Sequence, residues 1–293
     1  MVDVPRLPDL PVRPQHGQGA DHRQDRPRHG AGLPGRPGLP EGRMTATAQL
    51  PGSGTVAGLV SIVIPTFNSA AFACQAVASC LAQTYRPIEV IVVDDGSDDD
   101  TGERLRSFVD GTTVRYLRLP HGERSRARNA GIRNARGEFI QFLDADDLLE
   151  PAKLEAQVGF LRAHPELFGV SCAAGHFGDV EPMFRRYPRP RVGAITRAIV
   201  RGNFILINTM LTRRCNVLFD EDLTVLEDWE YWFRASLGGR RFGHIDRRLC
   251  LVRRHGANTS KDRRAMLAGE LAALSKMAGA GVFANEIRYA MFE

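Results

Sequence analysis

Leu59-Val-Ser-Ile-Val-Ile64 is a run of β-branched and aliphatic residues with almost no polar alternation, and it stops at Pro65. Such a strand must be buried on both faces, as happens inside a parallel sheet covered by helices on each side. The next residues supply a cover. Phe72, Ala73, Ala76, Val77, Cys80 and Leu81 recur at helical spacing. Residues 88–93 make a second strand, which ends in Asp94-Asp95-Gly96-Ser97. Residues 99–109 read as helix, 113–117 as a weaker strand and 124–136 as a third helix. Residues 139–143 form a strand running into Asp144-Ala145-Asp146-Asp147. Pro151 suits the first turn of a helix carrying Leu154, Val158 and Leu161. This β-α-β-α alternation predicts an α/β fold, with a largely parallel sheet and right-handed crossovers.

The geometry of such a sheet has a functional consequence. Three strands end in polar residues: Thr66 and Asn68, then Asp94 and Asp95, then Asp144 and Asp146. Parallel strands place those ends on one edge, where ligands of open α/β sheets bind. The second half is less regular. Residues 193–202 read as helix, 207–212 as strand and 228–237 as a helix with Trp229, Trp232 and Phe233 on one face. Residues 242–252 read as strand, and 261–278 as an amphipathic helix with Leu267, Leu271, Leu274 and Met277 as its apolar stripe.

Residues 1–57 differ from the rest. They are rich in Pro, Gly, Arg and Gln and poor in bulky apolar residues, so disorder is expected there. Met44 offers an alternative start, in which case residues 1–43 are not translated; a basic tether is the rival reading. Residues 58–256 then form the main domain and 257–293 a helical extension. The net charge is +5, and of 39 basic residues only Lys153, Lys261 and Lys276 are lysines. No nucleic-acid-reading motif accompanies the arginines, so a nucleic-acid partner is not expected. A basic surface favours an anionic substrate or an acidic membrane face. The five cysteines show no CxxC pair and read as free thiols of a reducing compartment. Neither a membrane-spanning run nor a signal peptide is seen, so a cytoplasmic protein is expected, with peripheral contact to the inner membrane face left open.

Asp144-Ala145-Asp146 is the strongest chemical feature. Alternate carboxylates just beyond a strand can present oxygens to a hard cation, Mg2+ or Mn2+, whose shell is completed by diphosphate and water. The plainer alternative is a solvated acidic turn capping the next helix. Asp94-Asp95-Gly96-Ser97 is a turn where glycine lets the backbone approach a ligand and carboxylates can accept bonds from a base or ribose, or else cap a helix. Glu227-Asp228-Trp229 opens a helix. An acid there either caps it or serves as a general base kept ionised by the helix dipole, and Trp229 either stacks on a sugar or belongs to the core. Arg128 either approaches phosphates or is one more exposed arginine.

Taken in order, Ser61-Ile-Val-Ile-Pro-Thr-Phe-Asn68, Val92-Val-Asp-Asp-Gly-Ser97, Ala127-Arg-Asn-Ala-Gly131, Phe142-Leu-Asp-Ala-Asp-Asp147 and Glu227-Asp228 resemble glycosyltransferase family 2 over residues 59–256. The resemblance implies a GT-A fold: a Rossmann-like nucleotide-binding half joined to a smaller acceptor-binding half. It assigns Pro65, Thr66, Asn68, Asp94, Asp95, Arg128, Asp144 and Ala145 to a nucleotide-diphosphate sugar, of UDP or dTDP type. Asp146, with Asp144, is assigned to the metal, and Asp228 to catalysis as the base of an inverting single displacement. Glu227 and Trp229 fall to the acceptor, a glycan or lipid-linked glycan of the cell surface. His255 lies in what looks like the family's mobile C-terminal loop, near metal or diphosphate. The Gln-x-x-Arg-Trp motif of the processive members is missing after Asp228, which implies single additions. Three rival functions have their own signatures. A sugar-nucleotide pyrophosphorylase should carry a Gly-rich basic loop after the first strand, where Pro65-Thr66-Phe67-Asn68 stands. A dehydrogenase should carry GxGxxG there. A catalytically inactive binding or scaffold protein would bind donor without turnover.

Overall fold

The computed structural model describes residues 54–178, 191–256 and 262–281. Its first part alternates as the sequence predicts. The strand β1 (Val56–Thr66) leads into α1 (Ala70–Leu81), β2 (Ile88–Asp94), α2 (Thr101–Leu105), β3 (Val114–Arg118), α3 (Glu123–Asn134) and β4 (Gly137–Phe142). The second part adds β5 (Leu148–Leu149), α4 (Lys153–Ala163), β6 (Leu167–Gly178), β7 (Gly193–Ala194) and α5 (Thr196–Ile199). It ends with β8 (Leu211–Arg213), α6 (Glu227–Ser236), β9 (Arg241–Arg254) and α7 (Arg263–Gly279).

Among the described residues the strands form one nine-stranded sheet in the order β3-β2-β1-β4-β8-β6-β9-β5, with β7 paired to β9. The β3, β2, β1 and β4 strands are mutually parallel, and β6 and β9 also run parallel. The β8 strand is antiparallel to both β4 and β6. This is the mixed, mostly parallel α/β sheet expected. Registration explains the shared edge: Thr66 pairs with Asp94 and Val63 with Phe142, so β1, β2 and β4 end side by side.

Alternation along the central strands feeds two cores. Val60, Ile62, Ile64, Val90 and Val92 pack with Val77 and Cys80 of α1 and with Leu154, Val158 and Leu161 of α4. Val63, Ile91 and Val93 face the opposite way, onto Ala127 and Ile132 of α3 and a group containing Trp229, Trp232 and Phe233 of α6. The α3 helix lies unusually close to β1, because a Cβ on Gly131 would stand 2.2 Å from Val63 Cγ1.

Several expectations need correction. The helix expected over 99–109 is only α2 plus a 3₁₀ turn at Arg106–Phe108. Within 193–202 the helix shrinks to α5, behind the short β7, and 207–212 divides into a 3₁₀ turn at Ile207–Thr209 and β8. The helix near Pro151 begins at Lys153. On α7, Leu274 and Met277 are buried while Leu267 and Leu271 are exposed, so the stripe is half as wide as expected. The β6 strand has no counterpart in the sequence pattern. Residues 1–53 lie outside the described residues, and β1 begins at Val56, two residues before the boundary placed at residue 58. All five cysteines are free; Cys80, Cys172 and Cys250 are buried, Cys74 and Cys215 partly so. No helix among the described residues is long and apolar enough to cross a membrane.

Candidate functional site

Beyond the ends of β1, β2 and β4 lies a cavity of about 910 Å³. Pro65, Thr66, Asn68, Asp95, Arg128, Asp144, Ala145, Asp146 and His255 line it, together with Phe67 and His121. Residues drawn from separate stretches of sequence therefore converge as the strand-end argument requires.

One side of the cavity is built by the loops after β1 and β2. The Asn68 amide donates to Ser97 Oγ at 2.9 Å, and Asn68 Oδ1 accepts from the Asp98 amide at 2.9 Å. Asn68 holds a left-handed φ of 46°, a conformation asparagine tolerates better than most residues. Thr66 is 3% exposed, and its hydroxyl has no partner although it borders the cavity. A buried hydroxyl left unbonded costs free energy, and a polar ligand at this wall would satisfy it. Asp95 accepts the amides of Gly122 and Glu123 at 3.0 and 2.8 Å, so it also fixes the start of α3. The His121 Nδ1 lies 2.8 Å from Asp95 Oδ2, and its ring stacks on Phe67 at 4.4 Å between centroids. The Asp95 backbone carbonyl, and then its carboxylate, raise the His121 pKa.

Asp94 does not join this wall. It has no exposed surface, accepts the Ser97 amide at 2.8 Å and is hydrogen-bonded by the Tyr116 hydroxyl. Its carboxylate shapes the turn from inside, which corrects its assignment to the nucleotide. Gly96 is likewise required for a different reason than expected. At its φ of 85° a Cβ would stand 2.9 Å from the His121 amide nitrogen, so the glycine makes room for the neighbouring loop rather than for a ligand.

The acidic turn after β4 forms the opposite wall. The Asp144 amide donates to Asn208 Oδ1 at 2.8 Å, and the Asn208 amide group reaches the Asp147 carboxylate. Behind it, Gln141 Nε2 donates to the Asn208 carbonyl at 2.9 Å, and the fully buried Lys153 donates to both Gln141 and Gln157. Asp147 takes the Arg253 amide at 2.6 Å and is 3% exposed. Burial, and then Asp144 and Asp146, raise its pKa to about 8. The two remaining carboxylates are more open, with side-chain exposures of 36% for Asp144 and 28% for Asp146. Asp146 Oδ2 sits 2.9 Å from His255 Nε2. These are the donors that magnesium or manganese accept. Among the described residues no cluster of three or more acidic, His or Cys side chains could hold a cation. A cation at Asp144 and Asp146 would therefore need ligand oxygens as well, as one shared with a diphosphate has.

Arg128 spans the floor. It is 2% exposed, and donates to Asp144 Oδ1 at 2.7 Å and to Glu227 Oε1 at 2.6 Å. Asn129 beside it bonds both backbone groups of Phe219, whose ring lies 5.2 Å from the guanidinium. Glu227 is buried against Arg128 and does not line the cavity, contrary to its assignment to the acceptor. Trp229 is also corrected: it is 3% exposed, its indole N–H donates to the Ile199 carbonyl at 2.6 Å, and it belongs to the core.

Asp228 is partly exposed at the first turn of α6, just outside the residues that line the cavity. Its carboxylate accepts from Asn203 Nδ2 at 3.2 Å and from the Trp229 amide at 2.8 Å. Burial, and then the neighbouring Glu227 charge, raise its pKa to about 7, with Arg128 opposing. The expectation that the helix dipole keeps it ionised is therefore overridden by desolvation. Sequence reasoning misses Phe67, His121, Asn203, Asn208 and Arg253 as contributors. Phe67 carries a signal, since it sits inside the motif after β1; the others depend on contacts that no local pattern announces.

The model of the family described as Glycosyl transferase family 2 matches residues 61–222. An uncharacterised glycosyltransferase of Rickettsia typhi is 34% identical over 194 residues, 61% of this chain and 59% of that protein. The uncharacterised glycosyltransferase EpsJ of Bacillus subtilis is 30% identical over 213 residues, 67% of this chain and 61% of that protein. The chain thus spans about three fifths of the length of these relatives. Staphylococcus aureus TarS 1–349 in complex with UDP-GlcNAc superposes with a TM-score of 0.64 at 18% identity, covering 79% of this chain and 70% of that one. The mannosyltransferase PcManGT of Pyrobaculum calidifontis, in complex with GDP-Man and Mn2+, gives a TM-score of 0.56 at 20% identity, covering 74% of this chain and 63% of that one. At those identities the likeness establishes the GT-A fold.

Proposed function

The chain belongs to glycosyltransferase family 2, and from that premise we propose that it transfers one sugar at a time from a nucleoside-diphosphate sugar to an acceptor hydroxyl, with inversion. The observation that carries this reading is the cavity lined together by Thr66, Asp95, Arg128, Asp144 and Asp146, with Asp228 on the helix beside it. Thr66, Asn68 and Asp95 border the nucleoside, Thr66 through its unsatisfied hydroxyl. Asp144 and Asp146, with His255 alongside, would hold Mg2+ or Mn2+, which when bound offsets the charge of the leaving diphosphate. Asp228 accepts the proton of the acceptor hydroxyl as that oxygen bonds to the anomeric carbon and the bond to the diphosphate breaks. A pKa of about 7 suits a general base working near neutral pH. The donor is of UDP or dTDP type, a choice supported by the UDP-GlcNAc complex of the TarS neighbour. The acceptor is a glycan or lipid-linked glycan of the cell surface, met at the inner membrane face.

The test is a panel of nucleotide sugars offered to the protein with and without Mn2+, read as donor binding and nucleotide release. Cation-dependent binding of one donor with nucleotide release is expected. Asp228→Asn should lower release by about 10²-fold or more while leaving donor affinity within a few-fold. Binding without any turnover would instead identify an inactive nucleotide-sugar-binding protein. Near-normal turnover in the Asp228→Asn variant would remove Asp228 from the mechanism.

A further inference from the structure

Glu227 stands next to Asp228, yet its side chain turns inward. It is 4% exposed, and its Oε1 accepts from Arg128 Nη1 at 2.6 Å. The other guanidinium arm meets Asp144 Oδ1 at 2.7 Å. Arg128 is itself 2% exposed, so one buried cation joins the acidic turn after β4 to the first turn of α6. Glu227 and Arg128 are 99 residues apart, and Arg128 and Asp144 are 16 apart. The link therefore crosses between the two halves of the fold.

The backbone at the same place carries strain. Leu226, immediately before α6, has a φ of 57°, a left-handed conformation that a branched aliphatic residue avoids. Leu226, as the N-cap residue, has no side chain able to cap the helix, and no glycine relieves the turn. Such a conformation persists only where surrounding contacts over-determine it. The Glu227–Arg128 pair is the buried contact that follows directly on Leu226.

Resting on the proposed role of Asp228 as base, we infer that Glu227 is a positioning residue: through Arg128 it ties the strained first turn of α6 to the donor-side carboxylate of Asp144, and so fixes where Asp228 stands. It is not an acceptor contact. The charged groups that act on Asp228 are Glu227 from its own helix, Arg128 from α3 and Asp144 from the turn after β4. Removing the Glu227 charge takes away the strongest like-charge neighbour and leaves the Arg128 charge less offset. Both effects favour the ionised form of Asp228.

The experiment is a ¹³C-carboxyl NMR titration of the full chain, with the Asp228 resonance identified by its loss in Asp228→Asn. In Glu227→Gln the Asp228 midpoint should fall by about one pH unit. In Glu227→Asp, which keeps the charge but shortens the reach to Arg128, the midpoint should stay within a few tenths of a unit of the unmodified protein, while nucleotide release from UDP-GlcNAc falls. Thermal unfolding of both variants shows whether the fold is kept; should Glu227→Gln fail to fold, Arg128→Lys takes its place, with a displaced Asp228 midpoint expected. An unmoved midpoint in the folded neutral variant overturns the inference, because a purely structural Glu227 would change stability and leave the titration alone. That result is separable from failure of the base assignment, which would appear as undiminished turnover in Asp228→Asn.

Discussion

Glu89 is a carboxylate near the start of a hydrophobic strand, 1% exposed, and it survives there because both oxygens are occupied. Ser61 Oγ donates to it at 2.6 Å, the Arg136 amide at 2.7 Å, and the Arg115 and Arg136 guanidinium groups at 2.8 and 3.0 Å. Burial alone would raise its pKa, but the Ser61 and Arg136 bonds, followed by the Arg115 charge, hold it below its ordinary 4.5. A depressed carboxyl stabilises the fold above its unfolded pKa, and this contribution disappears as pH falls through the folded value. Glu89→Ala should therefore cost about 1.5–3 kcal/mol at pH 7. The gap between variant and parent should narrow below about pH 4.5. Urea unfolding at pH 7 and pH 4 measures both; an equal gap at the two pH values would contradict the linkage. Legibility in the sequence divides at this same scale. Thr66, Asp95, Arg128, Asp144 and Asp146 can be placed because each sits at a strand end or in an ordered motif. The inward turn of Asp94 and Glu227 cannot, because it depends on Tyr116 and Arg128, partners that only the folded chain supplies.

Elements place these residues, and α3 shows how. It reaches β1 at Gly131, where even a methyl group would collide with Val63. Arg128 lies one turn earlier on that helix and inherits its position from the contact. Gly131→Ala should cost about 1–3 kcal/mol by overpacking and lift α3 from the sheet. Donor affinity should fall with it, although no residue touching the cavity has been changed. Calorimetric unfolding together with nucleotide-sugar titration checks this, and unchanged affinity in a destabilised variant would separate the two effects. The β1, β2 and β4 strands are readable as apolar runs, and α1 from its helical spacing. The β6 strand is not, since Leu167-Phe-Gly-Val-Ser-Cys-Ala-Ala-Gly-His-Phe-Gly178 has neither a continuous apolar run nor clean alternation. Its long pairing with β9 makes it a strand. Residues 207–209 wind into a 3₁₀ turn instead of extending. There Asn208 serves the acidic turn 61 residues away, a demand that local propensity does not register.

At the scale of the whole molecule, the central strands belong to both cores at once. Ile62 and Val63 are neighbours on β1, and they face opposite sides of the sheet. Neither core can be lost without exposing the strands of the other. Leu154→Ala on one side should cost about 2–5 kcal/mol and Phe233→Ala on the other about 3–5 kcal/mol. Each should lower one common unfolding transition; two resolved transitions in a calorimetric scan would show that the cores melt separately. The β9 strand extends this unity to the cavity. Arg253 and His255, two residues apart, both reach Phe72 and Asp146 of the acidic turn, while Arg254 between them borders the cavity and bonds His176 instead. Which side chain meets the acidic turn is thus a matter of parity. A strand counts in twos, and a single inserted residue would hand the place of Arg253 to a neighbour bearing a different group.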